Sequence, residues 1–235
     1  MAYVLGFLYA DGNITNSIPS RTQYIHLYSN DEHILYAIKA VLSSSHGIQK
    51  VSNKTFARTG KTYKSKDGFR LRIGSKEMYS DLLKLGVVPN KSRIATFPNI
   101  PKKYLGSFIR GNFDGDGCVF LQKALGITQP VIIKKLSAIF TSGSYKFLEG
   151  MVGVIKNNLT ISHNRIYNGT RSFQLRYSTK DSIELFKLMY QDCRSGLYLK
   201  RKSDIFNDYF RRAPKKIDKS IHKILENINY GSVLK

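Results

Sequence analysis

A nine-residue pattern occurs twice in this chain. The first copy reads Val4-Leu5-Gly6-Phe7-Leu8-Tyr9-Ala10-Asp11-Gly12, and the second reads Ile109-Arg110-Gly111-Asn112-Phe113-Asp114-Gly115-Asp116-Gly117. Glycine, aspartate and a closing glycine recur at the third, eighth and ninth places, 105 positions apart. A repeat of this kind predicts two similar halves, each contributing one carboxylate.

The similarity runs through the rest of each half. Tyr24–Tyr28 alternates, with Ile25 and Leu27 on one face and Tyr24, His26 and Tyr28 on the other, the pattern of a half-buried strand. Ser29-Asn30-Asp31-Glu32 has capping-box spacing, and Ile34, Leu35, Ile38, Val41 and Leu42 follow at helical period. Phe69–Ile73 alternates again, Ser75 is an N-cap candidate, and Met78, Leu82, Leu83 and Leu85 predict a second helix. Setting Phe69 against Phe173 without gaps matches Leu71 with Leu175, Arg72 with Arg176 and Lys76 with Lys180, and Asn90-Lys91-Ser92 finds a partner in Arg201-Lys202-Ser203. Each half is expected to run helix, two strands, helix, two strands, helix. Residues 15–20 and 60–68 are turn-rich and predicted to connect hairpin strands. The expected division is 1–91, a linker over 92–103 with Pro98 and Pro101, and 104–235 with closing helices.

If the repeated segments are helices, Gly6 and Ala10 form a small-residue stripe on one face, as do Gly111 and Gly115. Two such stripes can meet at backbone distance. Parallel packing then brings Asp11 and Asp116 together at two helix C-termini, where the dipoles already disfavour negative charge. Hard cations offset that repulsion, because they accept carboxylate, carbonyl and water oxygens. One Asp-Gly after a helix is commonly only a stop and a turn; two equivalent copies point to a shared metal site. Asp114-Gly115-Asp116-Gly117 is not a calcium loop, since the bidentate acid required at loop position twelve is Leu125.

Composition names the partner. With 38 Lys and Arg against 16 Asp and Glu, the net charge is +22, and the usual polyanion for such a surface is nucleic acid. A membrane-surface role is disfavoured by the lack of a basic amphipathic helix at either end and of a lipidation motif. No apolar run approaches the roughly 18 residues that span a bilayer, and no signal-peptide pattern opens the sequence. Cys118 and Cys193 make no disulfide framework and no zinc spacing. The expectation is an intracellular protein with reduced thiols, in a bacterial or archaeal cytoplasm or an organelle matrix.

The two segments resemble the paired motifs of single-chain LAGLIDADG homing endonucleases, the second most closely, and the likeness extends over the motif spacing, the strand–helix order and Asn90-Lys91-Ser92. Tyr9 stands where Asp is frequent in that family, and Arg110 where Ala is frequent. The resemblance implies an α+β fold of two pseudo-symmetric αββαββα halves, with antiparallel sheets forming a saddle on DNA and the motif helices at the centre. It implies a monomer that breaks both strands of a long asymmetric duplex site. Asp11 and Asp116 take the place of the family's metal-binding acids, with the Ala10 and Gly115 carbonyls as further ligands. Lys91 and Lys202 match its active-site lysines, Lys200 being a close alternative to Lys202. Mg²⁺ is the expected cofactor, with Mn²⁺ as substitute and Ca²⁺ bound without supporting cleavage. An RNA maturase assisting intron splicing, or a non-catalytic DNA-binding regulator, are the alternatives on the same scaffold.

For recognition, the polar strand faces carry Tyr24, His26 and Tyr28, then Arg70 and Arg72, and in the other half Gln174 and Arg176. In the major groove Arg reads guanine and Gln reads adenine. Arg21, Arg58, Lys61, Lys64, Arg165 and Arg171 occupy turn or strand-end positions suited to phosphates.

Overall fold

The computed structural model describes residues 1–17, 21–52, 55–58, 61–64, 67–124, 132–162, 165–193, 196–214 and 217–233; the side chains of 55–58, 61, 63, 64, 132 and 229–233 fall outside the description. The first half comprises α1 (Ala2–Asp11), β1 (Gly12–Ser17), β2 (Thr22–Ser29), α2 (Glu32–Val41), β3 (Ile48–Val51), β4 (Thr55–Arg58), β5 (Lys61–Lys64), β6 (Gly68–Gly74) and α3 (Lys76–Lys84). A 3-10 turn at Lys91–Arg93 follows. The second half comprises α4 (Lys102–Asp116), β7 (Cys118–Ala124), β8 (Ile132–Ser142), α5 (Tyr145–Asn158), β9 (Ile166–Gly169), β10 (Ser172–Tyr177), α6 (Thr179–Tyr190), α7 (Lys200–Arg212) and α8 (Lys219–Val233).

Each half builds one four-stranded antiparallel sheet, ordered β1-β2-β6-β3 in the first and β7-β8-β10-β9 in the second. The two orders are the same topology, as the internal repeat requires. Alternation sends Ile25, Leu27, Leu71 and Ile73 of the first sheet, and Leu136, Phe140, Leu175 and Tyr177 of the second, into the core beneath the helices. α2 seals its sheet with Ile34, Leu35 and Ile38, and α5 does so with Phe147, Leu148, Met151 and Ile155. Leu83 and Leu85 fit the helical period of α3 but stand exposed, and Tyr79 is buried instead.

The first half departs from the expected order in one respect. A separate hairpin, β4–β5, is inserted between β3 and β6. Lys61–Lys64, read from its flanking glycines as part of a connection, is a strand: Thr62 and Tyr63 are good strand formers and pair with Ala57 and Phe56. Thr15–Ser17 likewise belongs to β1 and not to a turn, while residues 18–20 lie outside the described residues. The capping box at Ser29–Glu32 does not form. Asp31 is the N-cap of α2 but makes no side-chain cap bond; its carboxylate instead pairs with Arg201 of the other half at 2.9 Å, and Ser29 Oγ accepts from the Asp31 amide. Ser75 does cap α3, accepting from the Met78 amide.

The segment between the halves is packed down. Ser144 Oγ donates to the Ala95 carbonyl at 2.6 Å, and the Phe97 ring lies against Phe108 and Phe147. It leads into α4, which packs beside α1 along most of α1's length and carries the second motif.

Candidate active site

The two motif helices touch through their small residues. A Cβ built on Gly6 would run into the Phe108 carbonyl, and one on Gly111 into the Tyr3 carbonyl. Further along, a Cβ on Gly115 would collide with that of Ala10. The contacts advance in the same direction on both helices, so α1 and α4 are parallel, and Gly6, Ala10, Gly111 and Gly115 form the interface read from the sequence. Asp11 and Asp116 are the last residues of their helices, and each chain passes directly into the first strand of its sheet. The acids therefore meet between the two sheets. A Cβ on Gly115 would lie 3.3 Å from Asp11 Oδ2, so the Asp11 carboxylate rests against the end of the opposite helix.

The electrostatics follow from this placement. Burial, then the negative charge of Asp116, raise the Asp11 carboxyl to about 6. Asp116 keeps more contact with solvent and is also raised, by partial dehydration, with Lys91 and Lys202 pulling the other way. Both lysines are buried beside the acids. Lys91 Nζ donates to the Gly12 carbonyl. Lys202 Nζ donates to the carbonyls of Phe113 at 2.6 Å, Asp114 at 2.7 Å and Gly117 at 2.6 Å, with Gly115 at 3.4 Å. Gly12 and Gly117 close the two motifs, so the lysines occupy matching places. Burial lowers both, Lys202 to about 8. Lys200 is elsewhere: it is exposed and pairs with Asp204. The structure thus separates two lysines that the sequence left as alternatives.

Two carboxylates beside the backbone carbonyls of two helix ends are oxygen donors of the kind that suits a hard divalent cation such as Mg²⁺, although Lys91 and Lys202 already engage several of those carbonyls. Among the described residues no group of three or more His, Cys, Asp or Glu side chains could hold a metal. Any ion here takes its remaining oxygens from water or from a bound phosphate. Among the described residues, Asp11 and Asp116 are thus the acids that this end of the two helices offers a cation.

The polar strand faces hold the other predicted residues. His26 lies opposite Arg72, and Tyr28 opposite Arg70. The Arg72 guanidinium stacks 3.6 Å above the Tyr24 ring, and Thr15 Oγ1 is 3.1 Å from His26 Nε2. Burial, with Arg72 and Arg70 nearby, lowers the His26 ring and favours its neutral form. Arg70 donates to Gln49 Oε1 at 2.6 Å. Arg176 donates through two nitrogens to Gln174 Oε1, at 3.0 and 2.7 Å. Arg165 and Arg176 both stand over Tyr167. Arg21 and Arg171 sit at positive φ in the β1–β2 and β9–β10 turns. The side chains of Arg58, Lys61 and Lys64 lie outside the described residues. Gln49, Thr15 and Tyr167 were missed because β1, β3 and β9 are short and alternate weakly. Arg110, noted in the sequence only as a departure from the family pattern, is buried, and it donates to the carbonyls of Met189 in α6 and of Leu197 in the segment before α7.

No family model matches this chain, and no curated protein matches it in sequence. Solved structures do match in fold. The LAGLIDADG meganuclease I-AabMI bound to uncleaved DNA superposes with a TM-score of 0.55 at 12% identity, covering 97% of each chain. The LAGLIDADG homing endonuclease I-LtrWI bound to target DNA gives 0.53 at 12% identity over 97% of this chain and 96% of its own. I-SmaMI bound to an uncleaved DNA target in the presence of calcium ions gives 0.54 at 13% identity, again over 97% of both. Over essentially its whole length, this chain has the fold of the LAGLIDADG meganucleases.

Proposed function

We propose that this protein is a site-specific DNA endonuclease that makes a divalent-metal-dependent double-strand break. The observation that carries the reading is the pair of aspartates, Asp11 and Asp116, converging at two parallel helix ends beside two buried lysines. The similar structures described with DNA support duplex DNA as the partner, and the charge of +22 supplies the attraction. Asp11 and Asp116, with the Ala10 and Gly115 carbonyls, would hold the metal. When bound, it lowers the pKa of the attacking water and offsets charge on the departing 3′ oxygen. Lys91 and Lys202 place positive charge beside the scissile phosphates, where negative charge grows as the water oxygen bonds to phosphorus and the 3′ oxygen leaves. Both ammonium groups are held beside the two acids by backbone carbonyls of the helix ends.

Recognition falls to the polar faces of both sheets. Arg has no acceptor, so Gln174 must present its oxygen to Arg176, and only its amide hydrogens remain free. The bidentate adenine contact needs that oxygen. The Gln174–Arg176 unit is therefore matched to guanine, with its N7 and O6 acceptors. Arg70 with Gln49, and Arg72 held over Tyr24, are donor groups of the same kind. Arg21, Arg165 and Arg171 suit phosphates.

Asp11→Asn tests the chemistry. It should slow cleavage of at least one strand by about a hundredfold or more while leaving DNA binding nearly unchanged. Double-strand cleavage at the wild-type rate would remove Asp11 from the mechanism.

A further inference from the structure

Tyr9 and Asp114 occupy the same place in the two motifs, the sixth, two residues before the paired aspartates. They differ in chemistry, yet each ties its helix to the segment that delivers a lysine. Tyr9 donates to the Leu85 carbonyl at 2.8 Å. Leu85 is the C-cap of α3, and from it a short path leads through Gly86, buried Val87 and left-handed Asn90 to Lys91. Gly86 has φ of +83°, and a Cβ there would lie 2.7 Å from the Tyr9 hydroxyl, so the turn leaves room for that bond. Asp114, fully buried, accepts from the Leu199 amide at 2.9 Å and from the Tyr3 hydroxyl at 2.8 Å. Leu199 is the N-cap of α7, and its carbonyl accepts from the Lys202 amide at 2.9 Å.

The difference in residue type has a physical reason. The end of α3 offers an unpaired carbonyl and needs a donor, which a tyrosine hydroxyl supplies. The start of α7 offers an unpaired amide and needs an acceptor, which a carboxylate supplies, with the helix dipole adding to the attraction.

We infer that Tyr9 and Asp114 are positioning residues, Tyr9 setting the place of Lys91 and Asp114 that of Lys202, each acting in its own half. The link to cleavage rests on the endonuclease reading; the placement of the lysines does not. Two readouts therefore separate them. The first is acetylation of the free protein with acetic anhydride, resolved by residue in a mass spectrometer. In the wild type both lysines should be protected. Tyr9→Phe should raise labelling of Lys91 several-fold and leave Lys202 unchanged, and Asp114→Ala should do the reverse, with Asp114→Asn restoring most of the protection through its remaining acceptor oxygen. The second readout is cleavage of each DNA strand. The two variants should slow opposite strands by roughly ten- to a hundredfold, as expected when a catalytic group is misplaced.

Equal labelling of both lysines, or no change in either, would overturn the inference. So would equal slowing of both strands by either variant. Should Asp114→Ala fail to fold, Tyr9→Phe decides alone, since it removes a single hydroxyl. Selective labelling with a wild type that cuts no DNA would leave the positioning role standing and remove the endonuclease reading.

Discussion

Asp11 carries a cost that its surroundings impose. Its carboxyl is held at about 6, against an ordinary 3.8, by burial first and by Asp116 second. Between those values the folded chain binds more protons than the unfolded one. Stability therefore falls as pH rises through that window, and the full cost is present above pH 6. Replacing Asp11 by Asn removes the charge but keeps the shape. In EDTA, Asp11→Asn should be more stable than wild type at pH 8 by about 1–2 kcal/mol, allowing for partial solvent screening, with the gain gone below about pH 4. Urea unfolding at the two pH values measures it; a variant less stable than wild type at pH 8 would show that the carboxylate is satisfied without metal. Residues of this kind could be found in the sequence because a repeated Asp at fixed spacing from two glycines is a local signal. Lys202 could not be told from Lys200 in the same way. Which of two nearby lysines turns inward depends on where α7 begins, and Asp114 fixes that from 85 residues away. The contacts of Arg110 were hidden for the same reason: its partners, the carbonyls of Met189 and Leu197, are remote.

The pairing of α1 with α4 is set by absence of side chain. Gly111 lies so close to Tyr3 that even a methyl group meets backbone, which cannot rotate away. Gly111→Ala should cost about 3 kcal/mol by overpacking and should separate the two aspartates. Gly153, on the open face of α5, has nothing within 4 Å of its missing Cβ. There the same change should stabilise by about 0.5–1 kcal/mol through helix propensity and unfolded-chain entropy. Equal effects at the two sites would show that helix propensity, and not interhelical contact, governs Gly111. The helices and central strands could be read from periodicity, since Ile25, Leu27, Leu71 and Leu175 all reach the core. The β4–β5 hairpin could not, because four-residue strands give too few alternations to stand out beside flanking glycines. The capping box of α2 did not form because the helix begins at Glu32, which puts Asp31 and not Ser29 at the N-cap; the Asp31 carboxylate pairs with Arg201.

The two halves are alike in topology and unlike in detail. One carries the β4–β5 hairpin and the other the closing helices α7 and α8. Such a molecule presents different side chains to the two sides of any duplex it straddles: Arg70, Arg72 and Gln49 on one sheet, Gln174, Arg176 and Tyr167 on the other. Under the proposed endonuclease function that asymmetry predicts an asymmetric target, with its centre over Asp11 and Asp116. The internal duplication was visible in the sequence because both motifs survive. The arrangement of the polar strand faces was not, because it is set by cross-strand pairs such as Arg70–Gln49 that no linear pattern displays. The most direct measurement is cleavage of a randomised duplex DNA library with Mg²⁺, beside an EDTA control and the Asp11→Asn/Asp116→Asn protein. Metal-dependent cuts enriched at one long asymmetric sequence, absent from the control and the variant, are the predicted result. Tight DNA binding with no metal-dependent cutting would contradict the account and leave a binding protein on a nuclease fold.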